Sequence, residues 1–161
     1  MNLSPLQLNR EDFADRVLEA IGRDGARRLE LEVTESTVMA DPRRASSNLA
    51  LLREAGVRIA IDDFGTGHSS LRVLAGLPVD VLKIDRSFVR DLAGNRSHRL
   101  IVQATITMAA AMGLETVAEG VETEEQAAIL RDLGCHAIQG FLYHRPVPAA
   151  ELDAWLTRRL S

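Results

Sequence analysis

An α/β fold with a parallel sheet, of the kind that winds toward a (β/α) barrel, is predicted by three features of this sequence. Short runs rich in β-branched residues and leucine alternate with stretches of helical period. The runs read as strands covered on both faces, as parallel strands are. Polar and mostly acidic residues then stand at or just past the end of each run, where a barrel gathers its functional groups.

Taken in order, the chain opens with "MNLS", a candidate strand stub, and Asn9 with Asp12 is expected to cap a helix bearing Phe13, Val17, Leu18 and Ile21. "LELEVTE" (29–35) is the first full strand. Asp41 followed by Pro42 reads as an N-cap and an N1 proline, opening a helix with Ala45, Asn48, Leu49 and Leu52 inward and Gly56 as its stop. "VRIAIDD" (57–63) and "VDVLKID" (79–85) are the next strands. A long helix over about 97–112 stops at Gly113, and "LETVAEG" (114–120) follows as a strand. Thr123 with Gln126 forms a capping box; Ile129, Leu130 and Leu133 make the apolar stripe, and Gly134 ends the helix. "HAIQGF" (136–141) is the fifth strand, and "PAAELDAWLTRRL" makes a final amphipathic helix. No linker or low-complexity tract interrupts residues 1–161, which are expected to form one domain.

Two architectures compete for this order of elements. A doubly wound open sheet binds its ligand at one switch point, served by a few loops. A barrel draws on the C-terminal ends of many strands. Glu32 and Glu35, Asp62 and Asp63, Lys83 and Asp85, Glu119 and Glu122, and Gln139 follow successive runs, which favours the barrel. A complete barrel takes about 250 residues, so the prediction is an incomplete TIM-type (β/α) barrel of about five to six parallel strands with outer helices.

Composition excludes several classes. The sequence has 161 residues, 46% hydrophobic and 26% charged, with a net charge of −4. That is an ordinary globular balance, large enough for a substantial core. No basic run suggests a DNA or RNA surface. No stretch approaches the roughly 18 apolar residues of a membrane span, and the first residues lack the pattern of a secretory signal. The single cysteine, Cys135, excludes an internal disulfide and fits a reducing cytoplasm; a small buried hydrophobe is its expected role.

"IAIDDFGTGHSSL" (59–71) poses the chemical question, because adjacent Asp62 and Asp63 repel each other unless a cation compensates them. Each acidic residue has a bland explanation alone: a strand end, a turn, a helix-dipole charge, or a Lys83–Asp85 surface ion pair. Together, on one rim of a parallel sheet, they form an oxygen-rich acidic site of the kind that suits Mg²⁺ or Mn²⁺. Two such ions are a known means of hydrolysing a phosphodiester. A lysine among them would steer or deprotonate water, or neutralise developing charge. The segment from Gly65 to Ser70 half-matches a dinucleotide-binding glycine fingerprint, but Ser70 replaces its third glycine and the aspartates would repel a pyrophosphate. The four histidines show no ligand-like spacing, which argues against zinc.

"MNLSPLQ", "LELEVTES", "IAIDDFGTGHSSLRVLAGLPVDVLKIDRSFV", "VAEGVET" and "GCHAIQGFLYHRPVP" together resemble the EAL domain, the bacterial cyclic di-GMP phosphodiesterase. The resemblance runs from Asn2 to the C-terminus in the family's order. It implies a modified TIM barrel that hydrolyses cyclic di-GMP to linear pGpG with two Mg²⁺ or Mn²⁺ ions. It implies Asn2, Glu32, Asp62, Asp63 and Glu119 as metal ligands, with Asp62 bridging. Lys83 would position or activate water beside Asp85. Glu35 would order the Asp63–Ser70 loop and couple it to dimer contacts, and Glu122 and Gln139 would line the substrate site.

Two departures stand out. His68 occupies a position usually held by tyrosine. The Glu-Ala-Leu signature, whose glutamate is a further ligand, is absent from this sequence, so the resemblance implies a domain without its N-terminal third. The partners expected are cyclic di-GMP and a second copy, through the Asp63–Ser70 region or open sheet edges. The alternative function is a weak or inactive EAL fragment that binds cyclic di-GMP or another protein.

Overall fold

The structure, a computed structural model, describes residues 1–65 and 74–159. Five strands form one sheet: β1 (Glu30–Thr34), β2 (Arg58–Phe64), β3 (Val81–Ile84), β4 (Glu115–Ala118) and β5 (Ala137–Ile138). They are parallel and lie side by side in chain order. Among the described residues the strand order does not reverse, so the sheet winds in one direction as a barrel does. The "MNLS" segment extends it: Asn2 bridges Glu32 in the parallel sense, the Leu3 amide donates to the Glu32 carbonyl (2.9 Å), and the Glu32 amide donates to Met1 (2.8 Å). The expectation of five to six parallel strands is met.

The helices form where their caps predict. Asp41 accepts from the Arg44 amide (3.1 Å) at the start of α4 (Pro42–Glu54), after the short α3 (Glu35–Met39). Asn95, one residue earlier than the sequence suggests, caps α6 (Arg96–Ala111) through the Ser97 and His98 amides. A short α5 (Arg86–Arg90) precedes it. The Thr123–Gln126 capping box opens α7 (Glu124–Asp132), and Gly134 at φ 83° stands just past its end. The final helix is α8 (Ala149–Arg159).

The front of the chain departs from expectation. Ser4 and Gln7 form an unforeseen capping box on α1 (Pro5–Leu8), and Asn9 closes that helix rather than opening α2 (Phe13–Ala26). Asp12 stands at the α2 N-cap without a side-chain cap bond, because the Arg10 guanidinium, 3.0 Å away, engages its carboxylate. The charge pair outcompetes the cap.

The sheet's two faces differ in kind. Leu31, Val33, Ile59, Ile61, Leu82 and Ile84 belong to the main core, together with Leu49 and Leu52 of α4 and Val102 and Ile106 of α6. Ala60 and Val81 are also buried but stand outside that cluster, because alternate residues of a strand point to the opposite face. On this inner face, at the start of the strands, Arg58 bridges Glu30 (3.3 Å) and Glu115 (2.7 Å). Only β3 is buried along its whole length; β1 alternates, with Leu31 and Val33 buried and Glu30, Glu32 and Thr34 partly open. Cys135 is partly buried against the core, and burial pushes its thiol pKa up.

Thr123→Ala removes the hydroxyl that accepts from the Gln126 amide. It is expected to lower the unfolding free energy by about 1 kcal/mol. Urea titration should show an earlier midpoint at unchanged slope.

Candidate active site

The side chains at the C-terminal ends of β1 to β4 converge on one ammonium group. Lys83, on β3, is 4% exposed. Its Nζ lies 3.0 Å from Glu32 Oε2 of β1, 3.6 Å from Asp62 Oδ1 of β2, and 2.6 Å from Glu119 Oε1 just past β4. Strand register makes this meeting possible. Lys83 pairs with Val117, and the Glu119 amide donates to the Ile84 carbonyl (3.1 Å), carrying the ladder one residue past β4.

Asp62 reaches the group through a bulge. Ile61 pairs with Leu82 and Phe64 with Ile84, so three residue steps on β2 oppose two on β3. Asp63 takes the extra step at φ 55°, a left-handed conformation that aspartate tolerates better than most residues. Its amide donates to Asp62 Oδ1 (3.0 Å). The bulge keeps Asp62 on the inner face and leaves Asp63 exposed at the rim.

Electrostatics follow from this packing. Burial, the largest influence on Lys83, disfavours its charge, but hydrogen bonds to Glu119 and Glu32 and the nearby carboxylates prevail and hold it protonated well above 10.5. Its ammonium is thus the shared counter-charge of Glu32, Asp62 and Glu119. Burial raises the Glu119 pKa against the opposing effect of Lys83, and Asp62 and Glu32 add to the rise. Burial also raises Asp63, helped by repulsion from Asp62 and Asp85.

Asp85 behaves differently. Burial pushes its pKa up, but the Ser87 hydroxyl and amide, the Arg86 amide and the Arg86 charge together bring it below the ordinary value. Asp85 is the N-cap of α5, accepting from the Ser87 amide (2.9 Å) and hydroxyl. Lys83 pairs with the other three carboxylates, so the simple Lys83–Asp85 surface pair is not what forms.

Beside this centre lies a cleft of about 720 Å³, within the range of small-molecule sites. Asp85, Glu119, Glu122 and Gln139 line it, as do Arg86 and Phe141. The sequence-predicted residues thus divide into a centre in which a buried Lys83 is ringed by the partly buried Glu32, Asp62 and Glu119, and a cleft lining (Asp85, Glu122, Gln139), with Glu119 in both. Asn2 joins the centre's rim by its bridge to Glu32. Glu35 is the first residue of α3. The loop it is expected to order lies outside the described residues from 66 onward, as does His68, so the dimer contact expected there does too.

Gln126 is a cleft residue that sequence reasoning took only for a cap. Its Oε1 accepts from the Glu122 (2.8 Å) and Thr123 (3.0 Å) amides, and its Nε2 donates to the Arg90 carbonyl (3.1 Å). It thereby ties the Glu119–Glu122 turn to the end of α5. The capping-box pattern was its only signal.

Among the described residues, no three His, Cys, Asp or Glu side chains are spaced to hold a metal ion by themselves. The donor set nonetheless fits a hard divalent cation: three carboxylates already share one positive charge.

Residues 1–146 match the EAL domain family. This chain belongs to that family. Over 158 residues the EAL chain is 45% identical to the cyclic di-GMP phosphodiesterase NbdA of Pseudomonas aeruginosa, a match covering 97% of this chain and 20% of that protein. The crystal structure of the EAL domain of Mycobacterium smegmatis DcpA superimposes with a TM-score of 0.90 at 45% identity, covering 98% of this chain and 71% of that one. BlrP1 of Klebsiella pneumoniae, crystallised with calcium and cyclic di-GMP, matches with a TM-score of 0.81 at 34% identity, covering 90% of this chain and 38% of that one. This EAL chain spans 20–26% of the length of the curated relatives it matches.

Lys83→Met leaves three carboxylates without their shared cation and is expected to cost about 3–5 kcal/mol. Thermal melts should show millimolar Mn²⁺ or Ca²⁺ restoring part of the loss. Because the folded-state pKa of Lys83 is raised, its stabilisation is fully present below 10.5 and lost as pH rises through the higher folded value. That alkaline loss should be missing from the variant.

Proposed function

We propose that this chain carries the catalytic core of a metal-dependent cyclic di-GMP phosphodiesterase yielding linear pGpG. The observation that carries this reading is the meeting of Glu32, Asp62 and Glu119, from three strand ends, around one buried positive charge. In the reaction, water adds to one phosphorus, one P–O3′ bond breaks, and the ring opens to a linear dinucleotide with a 5′-phosphate.

Glu32, Asp62, Asp63 and Glu119, with the Asn2 amide oxygen, would hold divalent cations such as Mg²⁺ or Mn²⁺. When bound, such ions supply charge neutralisation and water activation for phosphodiester hydrolysis. Lys83, within reach of all three carboxylates, would supply positive charge for the developing phosphoryl oxygens and position or activate the attacking water. Asp85, fixed by Ser87, presents a carboxylate to the same cleft. Glu122 and Gln139, which line the same cleft, would contact the substrate, with Gln126 fixing the Glu122 backbone. Glu35, at the α3 N-terminus, is proposed to hold the loop that follows Asp63.

A second reading is binding of cyclic di-GMP without turnover. Incubation with cyclic di-GMP and Mn²⁺, followed by chromatography, separates the two. Appearance of pGpG, reduced at least roughly a hundredfold by Asp62→Asn, is the expected result. Binding without product supports the second reading, and product unaffected by Asp62→Asn overturns the assigned metal role.

A further inference from the structure

The Phe88 ring of α5 stands between the β2 bulge and α6. The bulge leaves Asp63 at φ 55°, a conformation that costs free energy and persists only where its surroundings over-determine it. Around Asp63, its amide donates to Asp62 Oδ1 (3.0 Å), and the next residue, Phe64, is buried and pairs with Ile84. The chain then turns at Gly65, φ 95°, against the Phe88 ring. A Cβ at Gly65 would stand 3.2 Å from Phe88 Cε2 and 3.5 Å from Cζ. The ring therefore fills the space that a side chain there would take, and the backbone two residues past Asp63 rests on it.

Two elements support the ring in turn. In α5 the Phe88 amide donates to the Asp85 carbonyl (3.1 Å), and the neighbouring Val89 is fully buried. From α6 the His98 ring meets Phe88 edge-on, with centroids 5.7 Å apart and planes at 75°, a geometry that aromatic pairs favour. His98 lies in the first turn of α6, where its amide donates to the Asn95 cap (3.3 Å). Its Nδ1 is buried without a hydrogen-bond partner among the described residues. The ring contact is thus made at the cost of a hydrogen bond at that nitrogen.

We propose that Phe88 is a positioning residue for Asp63, acting through Gly65, and that His98 holds Phe88 in place. This inference rests on the reading of Asp63 as a ligand of a divalent cation. Asp63 is exposed at the rim, so its backbone sets where the carboxylate points. Without the ring, Gly65 regains the conformational freedom of a glycine. The left-handed turn at Asp63 then relaxes, and its carboxylate loses its fixed place beside Asp62.

The test is calorimetric titration of the 161-residue chain with Mn²⁺, with circular dichroism verifying the fold of each variant. Phe88→Leu keeps an apolar side chain but loses the flat ring, and is expected to weaken Mn²⁺ binding about tenfold, as changes around a metal ligand do. His98→Ala should weaken it about threefold, the worth of one edge-on aromatic contact. His98→Phe keeps that contact and should bind as wild type does. In an Asp63→Asn background Phe88→Leu should cost less than about twofold further, because both changes act through one carboxylate. Were Phe88→Leu not to fold, His98→Ala in the two Asp63 backgrounds reads the same coupling. A wild-type chain that binds no Mn²⁺, or an Asp63→Asn chain that binds as wild type, overturns the metal reading and this inference with it. If Asp63→Asn weakens binding but Phe88→Leu does not, or if their losses multiply in the double variant, the positioning role alone is overturned. A His98→Ala protein that binds as wild type, or a His98→Phe protein no better than His98→Ala, removes the part assigned to His98.

Discussion

Lys83 sets the terms for the rest of this structure. An ammonium with 4% exposure is tolerable only when compensating charge and hydrogen-bond acceptors surround it, since taking an ion out of water costs several kcal/mol. Its three partners come from β1, β2 and the end of β4. They meet only if the strands are parallel, adjacent in chain order, and in the observed register. A slip of one residue in β3 would turn Lys83 to the helix-facing side and bring Leu82 or Ile84 among the carboxylates. The buried charge and the sheet therefore specify each other.

The inner face is organised along the strands in the same spirit. Glu30, Arg58 and Glu115 form an ionic group at one end, and Ala60 and Val81 are buried on that face between it and Lys83. The lower group is exposed enough that its pairs are worth little individually. In the upper one Lys83 is buried and its three carboxylates are partly buried, so removing one member strands another.

Around the rim, backbone devices aim the side chains. The β2 bulge separates two adjacent aspartates, one inward and one exposed. The Asp85 cap starts α5 beside the cleft, and Gln126 joins the end of α5 to the turn before α7. These contacts use polar groups left open at helix ends, so the features that start and stop the helices also shape the cleft.

Much of this was legible in the residues themselves. Period, caps and stop glycines located the strands and most helices, because those signals are local. Glu32, Asp62, Lys83 and Glu119 were recognisable as a group because parallel strands must bring their C-terminal ends to one rim. Non-local competition decided what the residues alone left open. Asp12 serves Arg10 rather than a helix amide, Asp85 caps α5 rather than simply pairing with Lys83, and Lys83 meets three carboxylates from other strands. Arg58 reaches across β3 to Glu115, and the bulge depends on how β2 meets β3. Which partner a charged side chain takes is a contest among groups far apart in the chain, and only the folded sheet brings the contestants together.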